Sequence, residues 1–308
     1  MHVGYLSAGL LLFPAGRMQA IDIDYLILIR KIMMKLDKNS RIAILGAGNI
    51  GLSIARGILR SGKFSSGNIT LTRRRSHLLS EIKESGVMIH SDNKKAVEAS
   101  ELVIISVEPQ QMNGLLREIQ PVLDAGRHTV ISIVTGVRLS QIAQIIGDKI
   151  PVIRAMPNIA ISVGESMTCL AGKGLSDETM DMATRLFDMS GSTLVINEEE
   201  MIAATAIGAC GVAFFLRAIR AASQGGIEIG LQSSHALRIA TQAARGAASL
   251  LLAAGSHPEQ EIDRVTTPKG CTIAGLNLME YEGFSSAMIK GIALSAEKAA
   301  SLYKTGND

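Results

Sequence analysis

The chain has 308 residues, 47% of them apolar and 19% charged, which is enough apolar surface for two packed domains and excludes a disordered chain. Its 31 basic and 28 acidic residues leave a net charge of +3, and aromatics reach only 3% with no Trp, which excludes nucleic acid as a partner by charge or by base stacking. The balance points to a small-molecule ligand. Cys169, Cys210 and Cys271 are odd in number, far apart and outside metal-ligand spacing, so they fit a reducing cytoplasm and imply neither a disulfide scaffold nor a bound metal.

Residues 1–40 carry two apolar runs, 5–13 and 25–29, each shorter than the roughly 20 apolar residues that cross a bilayer. They read as an N-terminal extension outside the fold, with Met34 just ahead of the first strand as an alternative start. A membrane or targeting segment is the rival reading; the present one expects no membrane partner.

From Arg41 short apolar runs alternate with amphipathic stretches. Strands are expected at 41–46, 68–72, 101–107, 128–133 and 150–155, and helices at 50–60 and 77–84. Nearly continuous apolar strands separated by helices indicate a parallel sheet covered on both faces. The expected fold is therefore α/β, with an N-terminal Rossmann-like, doubly wound domain over 41–197. Strand signals stop after Glu198, and 201–252 is rich in Ala, Leu, Ile, Gln and Arg, with Ala218, Ala221 and Ala222 at close-packing spacing. This predicts an all-helical domain over 198–308, whose helices bury more surface against a second copy than alone.

Gly46, Gly48 and Gly51, with Asn49 and Ile50 between the last two, follow the first strand directly and open the first helix. The first glycine permits the tight turn, the second lets backbone approach a pyrophosphate, and the third lets helix pack on sheet. About 20 residues further on, where an NAD-selecting site carries Asp or Glu, the chain reads Thr72, Arg73, Arg74, Arg75. Guanidinium groups pair with a phosphate, so NADPH is the expected cofactor, with NADH possible, and Arg73 and Arg74 are the expected 2′-phosphate ligands.

The run from His257 to Phe284 places Thr267, Pro268, Gly270, Cys271 and Thr272 in a turn that leads into a helix. Such a turn presents N–H groups and hydroxyls to a small anion, although an N-cap threonine is the commoner role for Thr272 on local sequence alone. Together with the glycine loop, this run resembles the signature of the pyrroline-5-carboxylate reductase family, over essentially Arg41 to Tyr303.

The resemblance implies reduction of the cyclic imine 1-pyrroline-5-carboxylate to proline in the cytoplasm, by subunits interlocked as homodimers and often assembled into larger rings. It implies cofactor contacts at Ser106, Val107, Glu108 and Pro109, at Val134, Thr135 and Gly136, and at Asn93, Asn158 and Glu198. It implies that Thr272 meets the imine and that Thr267, Gly270 and Cys271 hold the carboxylate. A protonated imine is already electrophilic, so no essential His or Lys catalyst is expected. His77, His90, His128, His235 and His257 read as structural or solvated.

The chain departs from the family pattern in two places. Residues 208–214 read Gly, Ala, Cys, Gly, Val, Ala, Phe where the family commonly has Ser, Gly, Ser, Gly, Pro, Ala, Tyr, and 269–272 read Lys, Gly, Cys, Thr where it has two glycines and two threonines. Lys269 is a candidate for a charge-assisted contact with the substrate carboxylate. A β-hydroxyacid dehydrogenase shares the layout, but its chemistry wants a lysine on the first long helix of the second domain, and 201–252 holds none. A non-catalytic NADP-binding sensor or scaffold is the remaining alternative.

Overall fold

The computed structural model describes residues 39–302, so the expected N-terminal extension lies, except for its last two residues, outside the described residues. Eight strands form one sheet among these residues: β1 (Ile42–Leu45), β2 (Ile69–Thr72), β3 (Met88–His90), β4 (Leu102–Ile105), β5 (Thr129–Ser132), β6 (Val152–Met156), β7 (Ser166–Gly172) and β8 (Gly191–Val195). The order is β3-β2-β1-β4-β5-β6-β7-β8, with β1 to β6 parallel. The first six strands thus have the doubly wound order whose crevice binds dinucleotides outside the carboxyl ends of the strands.

The expectation of a purely parallel sheet needs correction. β7 runs antiparallel to β6, pairing Met156 with Cys169, and β8 runs parallel to β7. Neither strand was expected, because β7 carries Ser and Thr inward and β8 is an edge strand with Leu194 and Val195 exposed. β3 escaped for a similar reason, being three residues long with Met88 exposed.

The helices are α1 (Asn49–Arg60), α2 (Ser80–Lys83), α3 (Asn93–Glu98), α4 (Met112–Ile119), α5 (Leu139–Ile146), α6 (Asp177–Asp188), α7 (Met201–Ala204), α8 (Gly211–Glu228), α9 (Ser233–Ala254), α10 (Pro258–Val265), α11 (Cys271–Tyr281) and α12 (Phe284–Ala300). The helix expected over 77–84 is a 3-10 turn (Ser76–Leu79) followed by the single turn α2. A π-helical segment, Thr205–Cys210, joins α7 to α8. Helices α3, α4 and α5 close one face of the sheet, where Leu116, Ile119 and Ile142 are fully buried against Val103, Ile105 and Val130.

Burial divides the chain sharply. Each wholly buried Ile, Leu or Val of the sheet contributes about 1.5–3 kcal/mol, and strands β1, β2, β4, β5 and β6 are buried throughout. In contrast, α8 buries only Gly211 and Ser223, α9 only Ala236, and α10 and α11 nothing. α8 and α9 form an antiparallel hairpin in which Gly226 admits Ala236: a Cβ at Gly226 would stand 3.1 Å from that of Ala236. The rest of their apolar surface, including Phe215, Leu216, Ile239 and Leu252, faces outward. The run Glu198–Glu228 is long and apolar enough to cross a membrane by length and composition. Its apolar side chains, Phe215 and Leu216 among them, face outward, and Arg217 and Arg220 interrupt it.

Candidate active site

The glycine loop is built as the sequence predicts. Gly46 has φ +88, and a Cβ there would stand 2.5 Å from Val107 Cγ1 and 2.6 Å from Ser106 O. Only glycine fits. A Cβ on Gly51 would meet Gly46 O at 3.0 Å and Ser106 Oγ at 3.1 Å, so α1 rests directly on the turn. Ser106 N–H donates to Leu45 O at 2.8 Å, which fixes the tip of β4 beside that of β1. The structure therefore brings Gly46, Gly51, Ser106 and Val107 together at the carboxyl edge of the sheet.

Several features of this edge suit a dinucleotide. The space over Gly48 is open, with nothing nearer to a Cβ there than Gly46 O at 4.0 Å. No side chain caps the start of α1, so the first-turn N–H groups and the positive end of the helix face that space. Arg73 and Arg74 follow the tip of β2, half-buried and exposed, with no ion pair among the described residues. Glu108 and Pro109 begin a 3-10 turn just after β4, at the same edge. Val134 is buried among core residues, so only its backbone is available there, whereas Thr135 and Gly136 are half-buried.

Three expected cofactor residues also bind other parts of the protein. Asn93 does not cap α3; Asp92 does, accepting from Lys95 N–H. The Asn93 side chain instead accepts from Thr72 Oγ1 at 2.7 Å and donates to Glu118. Asn158 is buried, its Oδ1 accepting from Ala160 N–H and its Nδ2 donating to Gly208 O at 2.9 Å, so it ties the end of β6 to the π-helical segment. Glu198 Oε1 accepts from Arg154 Nη1 at 3.0 Å and from Leu139 N–H at 2.6 Å. Gly136, Arg138, Arg154, Glu198, Glu199 and Ile202 line a pocket of about 200 Å³, together with Ala300 of α12. Glu118 was not expected as part of this edge, since no local pattern distinguishes it.

The turn of Thr272 has a different setting. Gly270 N–H donates to Thr267 O at 2.9 Å, closing a turn with Pro268 second and Lys269 third, and Lys269 adopts φ 60. Among the described residues it is the one non-glycine with positive φ. A Cβ on Gly270 would collide with Thr267 Oγ1. α11 begins at Cys271 without a side-chain cap, which leaves N–H groups beside Thr272 for an anion. This turn is exposed and packs neither on the sheet nor on the glycine loop: α10 adjoins α9, and α11 adjoins α12. Within one chain, neither α10 nor α11 packs extensively on a strand of the sheet or on α1.

Two of the histidines have structural places. His128 is buried, accepting at Nδ1 from Asp124 N–H (2.8 Å), with Nε2 3.2 Å from Val97 O, and burial holds its pKa below the usual imidazole value. His257 caps α10 by accepting from Glu259 N–H. Cys169, Cys210 and Cys271 are free, and burial pushes the Cys169 thiol pKa up.

Two protein families match separate parts of the chain. Residues 198–302 match the family described as pyrroline-5-carboxylate reductase dimerisation, and residues 41–136 match NADP oxidoreductase, coenzyme F420-dependent. The chain is 46% identical to pyrroline-5-carboxylate reductase 2 of Dictyostelium discoideum over 292 residues, covering 88% of this chain and 97% of the relative. It is also 46% identical to pyrroline-5-carboxylate reductase 1 of the same organism, but spans 51% of that longer protein. The solved pyrroline-5-carboxylate reductase of Coxiella burnetii superposes with a TM-score of 0.80 at 25% identity, over 87% of this chain and all of that one. With its glycine loop, its eight-stranded sheet and its matched dimerisation helices, the chain belongs to the pyrroline-5-carboxylate reductase family.

Proposed function

We propose that the chain is a homodimeric NADPH-dependent reductase that converts 1-pyrroline-5-carboxylate to L-proline, the last step of proline biosynthesis. The observation that carries this reading is the pairing of an open, uncapped glycine-loop edge with an uncapped helix start at Thr272, in a chain 46% identical to a protein of that name along nearly its whole length. The first binds a dinucleotide phosphate; the second suits a small carboxylate.

Gly46, Gly48, Asn49, Ile50 and Gly51 would hold the pyrophosphate, and Arg73 and Arg74 the 2′-phosphate. Bound NADPH supplies the hydride. The protein's own part is to orient the imine and exclude water, which is a gain from positioning and not from a nucleophile. Thr272 touches the imine nitrogen through its hydroxyl, and the N–H groups at Gly270 and Cys271, with Thr267, hold the carboxylate.

Since Thr272 is exposed and away from the sheet of its own chain, the turn that completes each site comes from the second copy. The bare faces of α8, α9 and α11 are what such a copy covers. We place the enzyme in the cytoplasm, in keeping with three free cysteines, and expect dimers to associate further into rings.

The direct test follows NADPH absorbance on adding 1-pyrroline-5-carboxylate, with proline identified as product. A purified dimer that binds NADPH yet oxidises none would establish the sensor or scaffold reading instead.

A further inference from the structure

At the tip of β2, Thr72 O accepts from Gly46 N–H (3.1 Å) and Ala47 N–H (2.8 Å), which fixes that tip against the dinucleotide turn. An NAD-selecting site presents a carboxylate to the ribose diol from this position. The chain has arginines there, and local sequence offers no acid to oppose them. The fold brings one back from another element. Thr72 Oγ1 donates to Asn93 Oδ1 at 2.7 Å, and Asn93 Nδ2 donates to both carboxylate oxygens of Glu118, at 3.2 and 3.1 Å. Glu118 stands near the end of α4, exposed, and pairs with no cation among the described residues.

We propose that Glu118 sets cofactor choice: held by Asn93 beside the tip of β2, its carboxylate faces the adenosine ribose, opposes a 2′-phosphate and accepts from a 2′-hydroxyl. This rests on the reading above that the edge binds a nicotinamide dinucleotide. Asn93 Oδ1 is engaged by Thr72 and one Nδ2–H by Glu118, which leaves the other Nδ2–H for the ribose. Two hydrogen bonds through the Asn93 amide separate Glu118 from Thr72 at the tip of β2, a path comparable with the roughly 8 Å over which charges act at physiological salt. Arg73 and Arg74 attract the phosphate of NADPH, and Glu118 offsets part of that attraction. NADH, with a hydroxyl in place of the phosphate, gains an acceptor and meets no repulsion. The net result is an enzyme that prefers NADPH but still turns over NADH.

Glu118→Gln keeps an oxygen toward Asn93 Nδ2 and removes the charge. The ratio of kcat/KM for NADPH to that for NADH is expected to rise about twofold to fivefold, the size of a contact between exposed charges. The rise should shrink as salt is added, which a merely structural role would not produce. KM for the imino acid should stay put. A ratio indistinguishable from the parent's overturns the proposal. Should Glu118→Gln fail to fold, Glu118→Asp withdraws the carboxylate by one methylene, and the same ratio should rise by less; no rise again overturns it. Titration of NADPH and NADH by nicotinamide fluorescence reads the same ratio without turnover. A parent chain inactive on 1-pyrroline-5-carboxylate would therefore defeat the functional reading while still deciding the role of Glu118.

Discussion

Arg154 on β6 and Glu198, at the start of the helical half, form an ion pair with Nη1 3.0 Å from Oε1, their side chains 6% and 23% exposed. The same oxygen accepts from Leu139 N–H at the start of α5. One carboxylate thus joins the last parallel strand, a helix of the sheet layer and the entrance to the dimerisation helices. Removing one member of a buried pair leaves the other charge without a partner, which costs about 3–5 kcal/mol. Glu198→Ala should lose stability of that order in urea unfolding, and Glu198→Gln, which keeps both acceptor contacts, clearly less. Equal small losses in both would show that the pair contributes little.

Gly46→Ala should abolish NADPH binding. Its Cβ would overlap Val107 Cγ1 and Ser106 O, and φ +88 adds roughly 1–2 kcal/mol of backbone cost for any residue with a Cβ. A fluorescence titration giving the parent's affinity would mean that the turn has room the structure does not show.

Lys269 occupies the left-handed region at φ 60, where lysine is disfavoured by about 1–2 kcal/mol and glycine is not. Lys269→Gly should therefore raise the unfolding temperature by several degrees. If the lysine is kept for its charge at the substrate carboxylate, the same variant should raise KM for 1-pyrroline-5-carboxylate with little change for NADPH. An unchanged KM would remove Lys269 from the substrate site and leave its conformation without a functional account.

His128 is neutral in the folded chain, because burial outweighs its hydrogen bonds and lowers its pKa below 6.5. In the unfolded chain it takes up a proton nearer that ordinary value. Between the two the unfolded state binds more protons, so the contribution is fully present above about pH 6.5 and is lost as pH falls toward the folded-state pKa. Denaturation midpoints measured from pH 7.5 down to 5 should fall more steeply for the parent than for His128→Gln. Parallel curves would assign the acid sensitivity to other groups.

Leu278 on α11 is 61% exposed, on a helix that buries nothing within its own chain. Leu278→Glu should leave the sheet folded but yield monomers in sedimentation velocity and lose nearly all reductase activity, since on the proposed arrangement each site needs the other copy's turn. An active monomer would contradict that arrangement.

The sequence alone determined five strands of the sheet, β1, β2, β4, β5 and β6, and the glycine turn after the first of them. Ile42, Ile44, Leu102 and Ile104 lie in strands buried on both faces, and a strand of that kind reads as a continuous apolar run; Gly46, Gly48 and Gly51 are legible as a spacing directly after the first strand, although the atoms that exclude a Cβ at Gly46 belong to Ser106 and Val107, just after β4. Family signatures at 265–274 were legible in the same way, as unbroken local strings. What only the tertiary structure decided was long range: the antiparallel β7 and β8, whose polar and exposed residues imitate loops; the union of Arg154 with Glu198; the chain from Thr72 through Asn93 to Glu118; and the distance of Thr272 from its own glycine loop. Periodicity records which face of an element is buried, not which other element covers it. Partners drawn from α4, β6 or a second copy therefore leave no mark in local sequence, and packing alone assigns them.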